Sequence, residues 1–222
     1  MELIPIGYPS SVTLFIVCGI ALLAFIKYNF GKNLKESFLS FFNYRQSLRM
    51  LEERRESDRQ AAILSNIFFS LIVGIFISLL FPFFGENPLF GNYATSILFF
   101  SAAVGLIFLI KSFIWKLLGA VFMVQNFSKI YIYNMFLYNR IIGLIIFPAV
   151  AIMPYIAATV TPFIVFAVIA ISYLLKIWRI FQIINDQNVS FFYFILYLCT
   201  LEILPLLLLI KCCKILSESM IV

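Results

Sequence analysis

The chain has 222 residues, 64% of them apolar and only 12% charged, with a formal net charge of +6 and no histidine. A soluble domain of this length cannot bury so much apolar surface, so the bilayer is the expected solvent. Spanning it as a helix takes about 20 apolar residues, a length the chain offers repeatedly, and the ten-residue alternation of a membrane barrel is missing. The expected fold is an all-α, polytopic helical membrane protein forming a single integral membrane domain over residues 1–222.

In chain order, six spans are expected at Ser11 to Lys27, Ala61 to Phe83, Tyr93 to Ile110, Ile141 to Thr159, Pro162 to Trp178 and Ser190 to Ile210. The N-terminal "MELIPIGYPSSVTLFIVCGIALLAF" lacks the basic start of a cleavable signal peptide, so the first span is expected to be retained. Residues 28–60 read as a cytoplasmic amphipathic and charged helical loop. Phe38, Phe41, Phe42, Leu48 and Leu51 fall near helical spacing and are expected to lie against the membrane surface. In "RMLEERRESDRQ", Arg49 with Glu53, Glu52 with Arg55 and Glu56 with Arg59 are spaced to pair along a solvated helix, which is either a plain cytoplasmic element or a docking surface.

The second span carries Asn66, Ser70, Gly74 and Ser78 at four-residue spacing, and the third repeats the small-residue spacing at Ser101 and Gly105. Small residues let helices approach closely in lipid, so these faces are expected to pack against protein, with a polar path as the alternative. Residues 111–140 are apolar but interrupted by Lys116, Gln125, Asn126 and Lys129; they read as two interfacial helices, with a re-entrant segment or a seventh span as the alternative. Tyr138, Asn139 and Arg140 open the fourth span, as interfacial anchors or as a headgroup site for lipid phosphate. Pro148 and Pro154 are expected to bend that span.

The last span, "FFYFILYLCTLEILPLLLLIK", holds Glu202 in its interior, about 18 Å from Ser190 at the usual helical rise. An ionised carboxylate there is costly, so it should be neutral, paired or wet. Cys199, Thr200 and Pro205 surround it with a polar break. Tyr155 and Ser101, at similar depth, complete an expected intramembrane polar cluster. Glu202 then either hydrogen-bonds structurally or binds a proton or ligand from an outward cavity.

Of the 16 lysines and arginines, only Lys211 and Lys214 fall on the far side when the N-terminus is placed outside, which gives an N-out, C-out orientation. The basic residues are spread over several loops, a pattern that fits insertion and anionic lipid and excludes a nucleic-acid footprint. Cys18, Cys199, Cys212 and Cys213 make no disulfide framework. Lacking histidine, with Asp58 and Asp186 both in cytoplasmic segments and no glycine-rich nucleotide loop, the chain has no visible catalytic, metal or cofactor site.

The closing run, with Tyr197, Cys199, Thr200, Glu202, Ile203 and Pro205 in the pattern Y-x-C-T-x-E-I-x-P, and the preceding "YNRIIGLIIFPAVAIMPY" segment resemble a Bacteroidetes membrane-protein family, domain of unknown function 4271. The resemblance covers most of the chain. It implies a multi-pass inner-membrane protein of a didermal bacterium and assigns no activity. The expected function is a non-catalytic inner-membrane subunit or scaffold of an envelope protein complex, in contact with membrane lipids and a membrane-protein partner. A small proton-coupled transporter or channel using Glu202 is the alternative, and a lipid-modifying enzyme a further one.

Overall fold

The computed structural model describes residues 10–52, 56–83, 92–121, 125–155 and 160–187. They form six helices: α1 (Ser10–Phe42), α2 (Tyr44–Glu52), α3 (Glu56–Phe83), α4 (Tyr93–Val121), α5 (Gln125–Ile152) and α6 (Val160–Gln187). All but α2 contain an apolar stretch long enough to cross a membrane. The sixth expected span, Ser190 to Ile210, lies outside the described residues.

The long helices run antiparallel to their chain neighbours. Gly74 of α3 meets Ser101 of α4 while Ser70 meets Gly105, and Gly119 of α4 meets Ser128 of α5. Helix α1 runs against α5, with Tyr155 at one end bonded to Thr13 and Arg140 at the other bonded to Ser37. In the apolar stretches of α3 and α5, 56% and 50% of residues are buried, against 22% in α1 and α6 and 28% in α4, so α3 and α5 form the centre of the bundle. Leu14, Phe25, Leu106, Leu109, Phe113, Phe163 and Leu174 on the three outer helices are exposed. A belt of exposed apolar side chains over a packed interior is what lipid contact requires.

Two close approaches set the helix spacing. A Cβ on Gly74 would lie 2.7 Å from the backbone nitrogen of Ser101, and one on Gly143 would lie 3.3 Å from the Cα of Phe69. Where lipid already solvates apolar side chains, dispersion across such backbone contacts replaces the hydrophobic drive. Around them pack Phe68, Ile72, Ile75, Leu79, Ile97, Ile146 and Val150, all nearly or fully buried.

Several ends differ from the sequence reading. Residues 111–121 continue α4, and residues 125–140 open α5, so this stretch forms no separate pair of helices. At about 1.5 Å per residue, the 29 residues of α4 and 28 of α5 reach roughly 42 Å, beyond a hydrocarbon core of about 30 Å. Helix α5 passes through Pro148 and stops at Ile152, before Pro154.

Helix α1 likewise continues past Lys27 to Phe42, with a break at Phe30 (φ −129°, ψ 27°) just before Gly31. Phe38 and Phe42 are exposed, but Phe41 is buried in protein. Leu48 and Leu51 pack against the buried cluster that contains Trp115, Tyr131, Met135 and Ile183, so the apolar side of α2 faces protein and not a membrane surface. Asn43 joins the two helices: its backbone nitrogen bonds the carbonyl of Leu39 at 3.1 Å, and its Oδ1 accepts from the nitrogen of Arg45 at 3.2 Å, capping α2. Of the expected charge pairs near residue 53, the positions 53–55 lie outside the described residues. Lys32 and Glu36 form an exposed i,i+4 pair at 4.0 Å.

Candidate functional site

Every lysine and arginine among the described residues falls in the half of the bundle where α1 ends, α3 begins and α4 meets α5. In that half the helix interiors turn polar. Arg179 of α6 is 3% exposed and donates from Nη2 to the carbonyls of Ser40, at 2.9 Å, and Phe41, at 2.6 Å. These carbonyls belong to the last turn of α1, where helix geometry leaves acceptors without intrahelical partners. Burying a guanidinium costs several kcal/mol of hydration. Charge-assisted hydrogen bonds of about 1.5–3 kcal/mol each, together with the negative end of α1, offset that cost. The Arg179 guanidinium also stands 5.6 Å from the centre of the Tyr44 ring, and its Nε donates to the Tyr138 hydroxyl at 3.4 Å. Arg179 thus fastens α6 to α1, α2 and α5 at once.

Other contacts repeat the pattern. Ser47 of α2 donates to Asn134 Oδ1 at 3.0 Å, while Asn134 Nδ2 bonds the carbonyl of Ile130 at 2.9 Å. Arg140 Nη1 donates to Ser37 Oγ, and Ser37 itself donates to the carbonyl of Asn33 at 2.6 Å. Between α4 and α5, Ser128 donates to the Trp115 carbonyl at 2.6 Å, and Trp115 stacks on Tyr131 with centroids 3.9 Å apart.

Beside this network lies a cavity of about 630 Å³. Arg140, Lys116 and Lys129 contribute cations to its wall, Asn33, Gln125, Ser112, Ser128 and Tyr133 add polar groups, and Leu51, Ile132, Phe136 and Leu137 add apolar ones. None of these described lining residues is acidic. The arrangement favours binding an anion with an apolar portion. It supplies cations and hydrogen-bond donors but no carboxylate–base pair for proton transfer.

The residues singled out from sequence separate into three places. Gly74 and Ser101 meet, as do Ser70 and Gly105, at the crossing of α3 and α4. Asn66 bonds back to the carbonyl of Ala62 at 2.7 Å, and Ser78 is fully buried. Tyr138, Asn139 and Arg140 are 3%, 5% and 8% exposed, so they face the protein interior and not the lipid headgroups at the surface; Tyr138 donates to the carbonyl of Leu175 at 3.3 Å. Arg140 alone of the three lines the cavity. Tyr155 is exposed and donates to Thr13 at 3.1 Å, while Ser101 abuts Gly74. Their expected companions Glu202, Thr200, Pro205 and Cys199 lie outside the described residues.

Sequence reasoning did not single out Arg179, Ser37, Ser47 or Asn134. Arg179 carried one usable signal: it sits in "YLLKIWRIFQ", with no acidic residue within a helical turn to pair with it. The remaining partners are separated by 87 to 103 positions, which no local pattern connects.

Fold and site together define a multi-pass, all-helical membrane protein whose basic half is cross-braced internally. The chain belongs to the family described as Domain of unknown function (DUF4271), whose profile matches residues 12–213. No curated protein and no solved structure matches the chain.

Proposed function

We propose that this protein is a non-catalytic subunit or scaffold of an envelope protein complex, sited in the inner membrane of a didermal bacterium of the Bacteroidetes. In this reading it has six spans and lies N-out and C-out, with its basic half on the cytoplasmic side, where the positive-inside rule puts lysine and arginine. The reading is carried by the use made of the buried polar groups. Arg179, Ser47 and Ser128 join helices to one another, and the chain presents extended apolar faces on α1, α4 and α6. Such an interior supports a fixed shape, and exposed faces of this kind suit lipid and neighbouring membrane helices.

Extraction of the tagged full chain in a mild detergent, followed by intact-complex mass measurement, tests this. A second polypeptide at a fixed molar ratio is expected. A chain that migrates alone under those conditions overturns the subunit reading and directs attention to proton-coupled transport through Glu202, measurable as pH-dependent flux lost in Glu202→Gln.

A further inference from the structure

We infer that the basic cavity binds the phosphate of an anionic phospholipid, with Lys116 and Lys129 holding the headgroup and the apolar lining residues Ile132, Phe136 and Leu137 receiving the first part of the acyl region. Three observations combine. The cavity, at about 630 Å³, falls in the range of roughly 300–1,000 Å³ that encloses small ligands. Its cations come from two helices and from different depths. Lys116 and Lys129 lie near the tips of α4 and α5 and are exposed, while Arg140 is buried at the inner end and is oriented by its bond to Ser37. Finally, α4 and α5 are longer than a hydrocarbon core, and the cavity lies in the half of the bundle that holds the described lysines and arginines, the half that the positive-inside rule assigns to the cytoplasmic headgroup side.

The combination of cations with apolar lining residues favours an amphiphile over a soluble phosphate. Phe136, Leu137 and Ile132 gain nothing from a hydrated ion, but they fit the glycerol and proximal methylenes of a lipid. Lysine ammonium groups bind phosphate oxygens as point charges. Basic pockets between membrane helices on the cytoplasmic side are a recurrent solution for anionic headgroups. The inference rests on the cytoplasmic placement of the basic half but not on the existence of a partner protein, so it is measured on the purified chain.

The test is native mass spectrometry of the detergent-purified full chain titrated with phosphatidylglycerol or phosphatidylcholine. Wild type is expected to retain one phosphatidylglycerol with at least tenfold preference over phosphatidylcholine, and millimolar inorganic phosphate should leave it bound. Lys116→Gln combined with Lys129→Gln changes two exposed residues and should reduce that preference at least fivefold. The two single variants should each show a partial loss. Lys27→Gln, which removes a cation of the same half that does not line the cavity, should keep the wild-type preference. Equal retention of the two lipids overturns the proposal. So does an equal loss in Lys27→Gln, which would mean diffuse surface charge, or binding of inorganic phosphate with no preference for phosphatidylglycerol, which would make the site one for a soluble anion.

Discussion

Arg179 shows how a cation is accommodated inside this bundle by backbone carbonyls. Its Nη2 reaches the carbonyls of both Ser40 and Phe41, so removing the side chain strands two buried acceptors. With about 1–3 kcal/mol lost for each unsatisfied group, Arg179→Met is expected to destabilise the protein by about 3 kcal/mol, read as the midpoint shift of denaturant unfolding in detergent. Arg179→Lys should recover part of that loss, because an ammonium keeps the charge but lacks the planar fork. If Met and Lys behave alike and near wild type, the carbonyls are satisfied in some other way. Ser47→Ala combined with an Asn134→Leu cycle should show coupling of about 1 kcal/mol, since the two side chains share one hydrogen bond.

At the scale of elements, the crossing of α3 and α4 separates two glycines that look alike in sequence. Gly74→Ala would set a methyl 2.7 Å from a backbone nitrogen, forcing the helices apart, whereas a methyl on Gly105 would meet Ser70 Oγ at an ordinary 3.6 Å. Overpacking of that kind costs about 1–3 kcal/mol, while alanine in place of a mid-helix glycine gains up to about 1 kcal/mol. Gly74→Ala should therefore lower the thermal midpoint of the detergent-purified protein, and Gly105→Ala should leave it unchanged or raise it. Equal behaviour of the two variants would mean that the crossing is looser than described.

The apolar runs that begin the spans at Ala61 and Tyr93 were legible because lipid selects for uninterrupted hydrophobicity. Their continuation was not. Lys111, Lys116, Gln125 and Lys129 break the run, yet helix formation asks only that each backbone bond close, and these side chains fit into the bundle or its cavity. For the same reason Leu48 and Leu51 read as lipid-facing: amphipathicity identifies an apolar face without saying what covers it, and here the cover is a buried cluster that includes Tyr131, Met135 and Ile183. The small-residue faces of α3 and α4 carried a pairing in their spacing, and Gly74 and Ser101 do meet. The polar network carried none, because Arg179 and its carbonyl partners are 138 and 139 positions apart.

For the whole molecule, the reading requires the basic half to face the cytoplasm. With Cys18, Cys199, Cys212 and Cys213 replaced by serine, a cysteine at Ser10 is expected to react with an impermeant maleimide in cells whose outer membrane alone has been opened. One at Gln125 should react only after the inner membrane is breached. The reverse pattern would invert the orientation and move the cavity to the outer leaflet.

The subunit assignment is the central claim, and stoichiometry tests it most directly. The intact mass of the tagged full chain, extracted gently from its native membrane, is predicted to exceed that of the chain and its lipids by a constant amount equal to a second polypeptide. That amount should be the same across independent preparations and should vanish when the complex is denatured. A mass accounted for by this chain and lipid alone would contradict the claim.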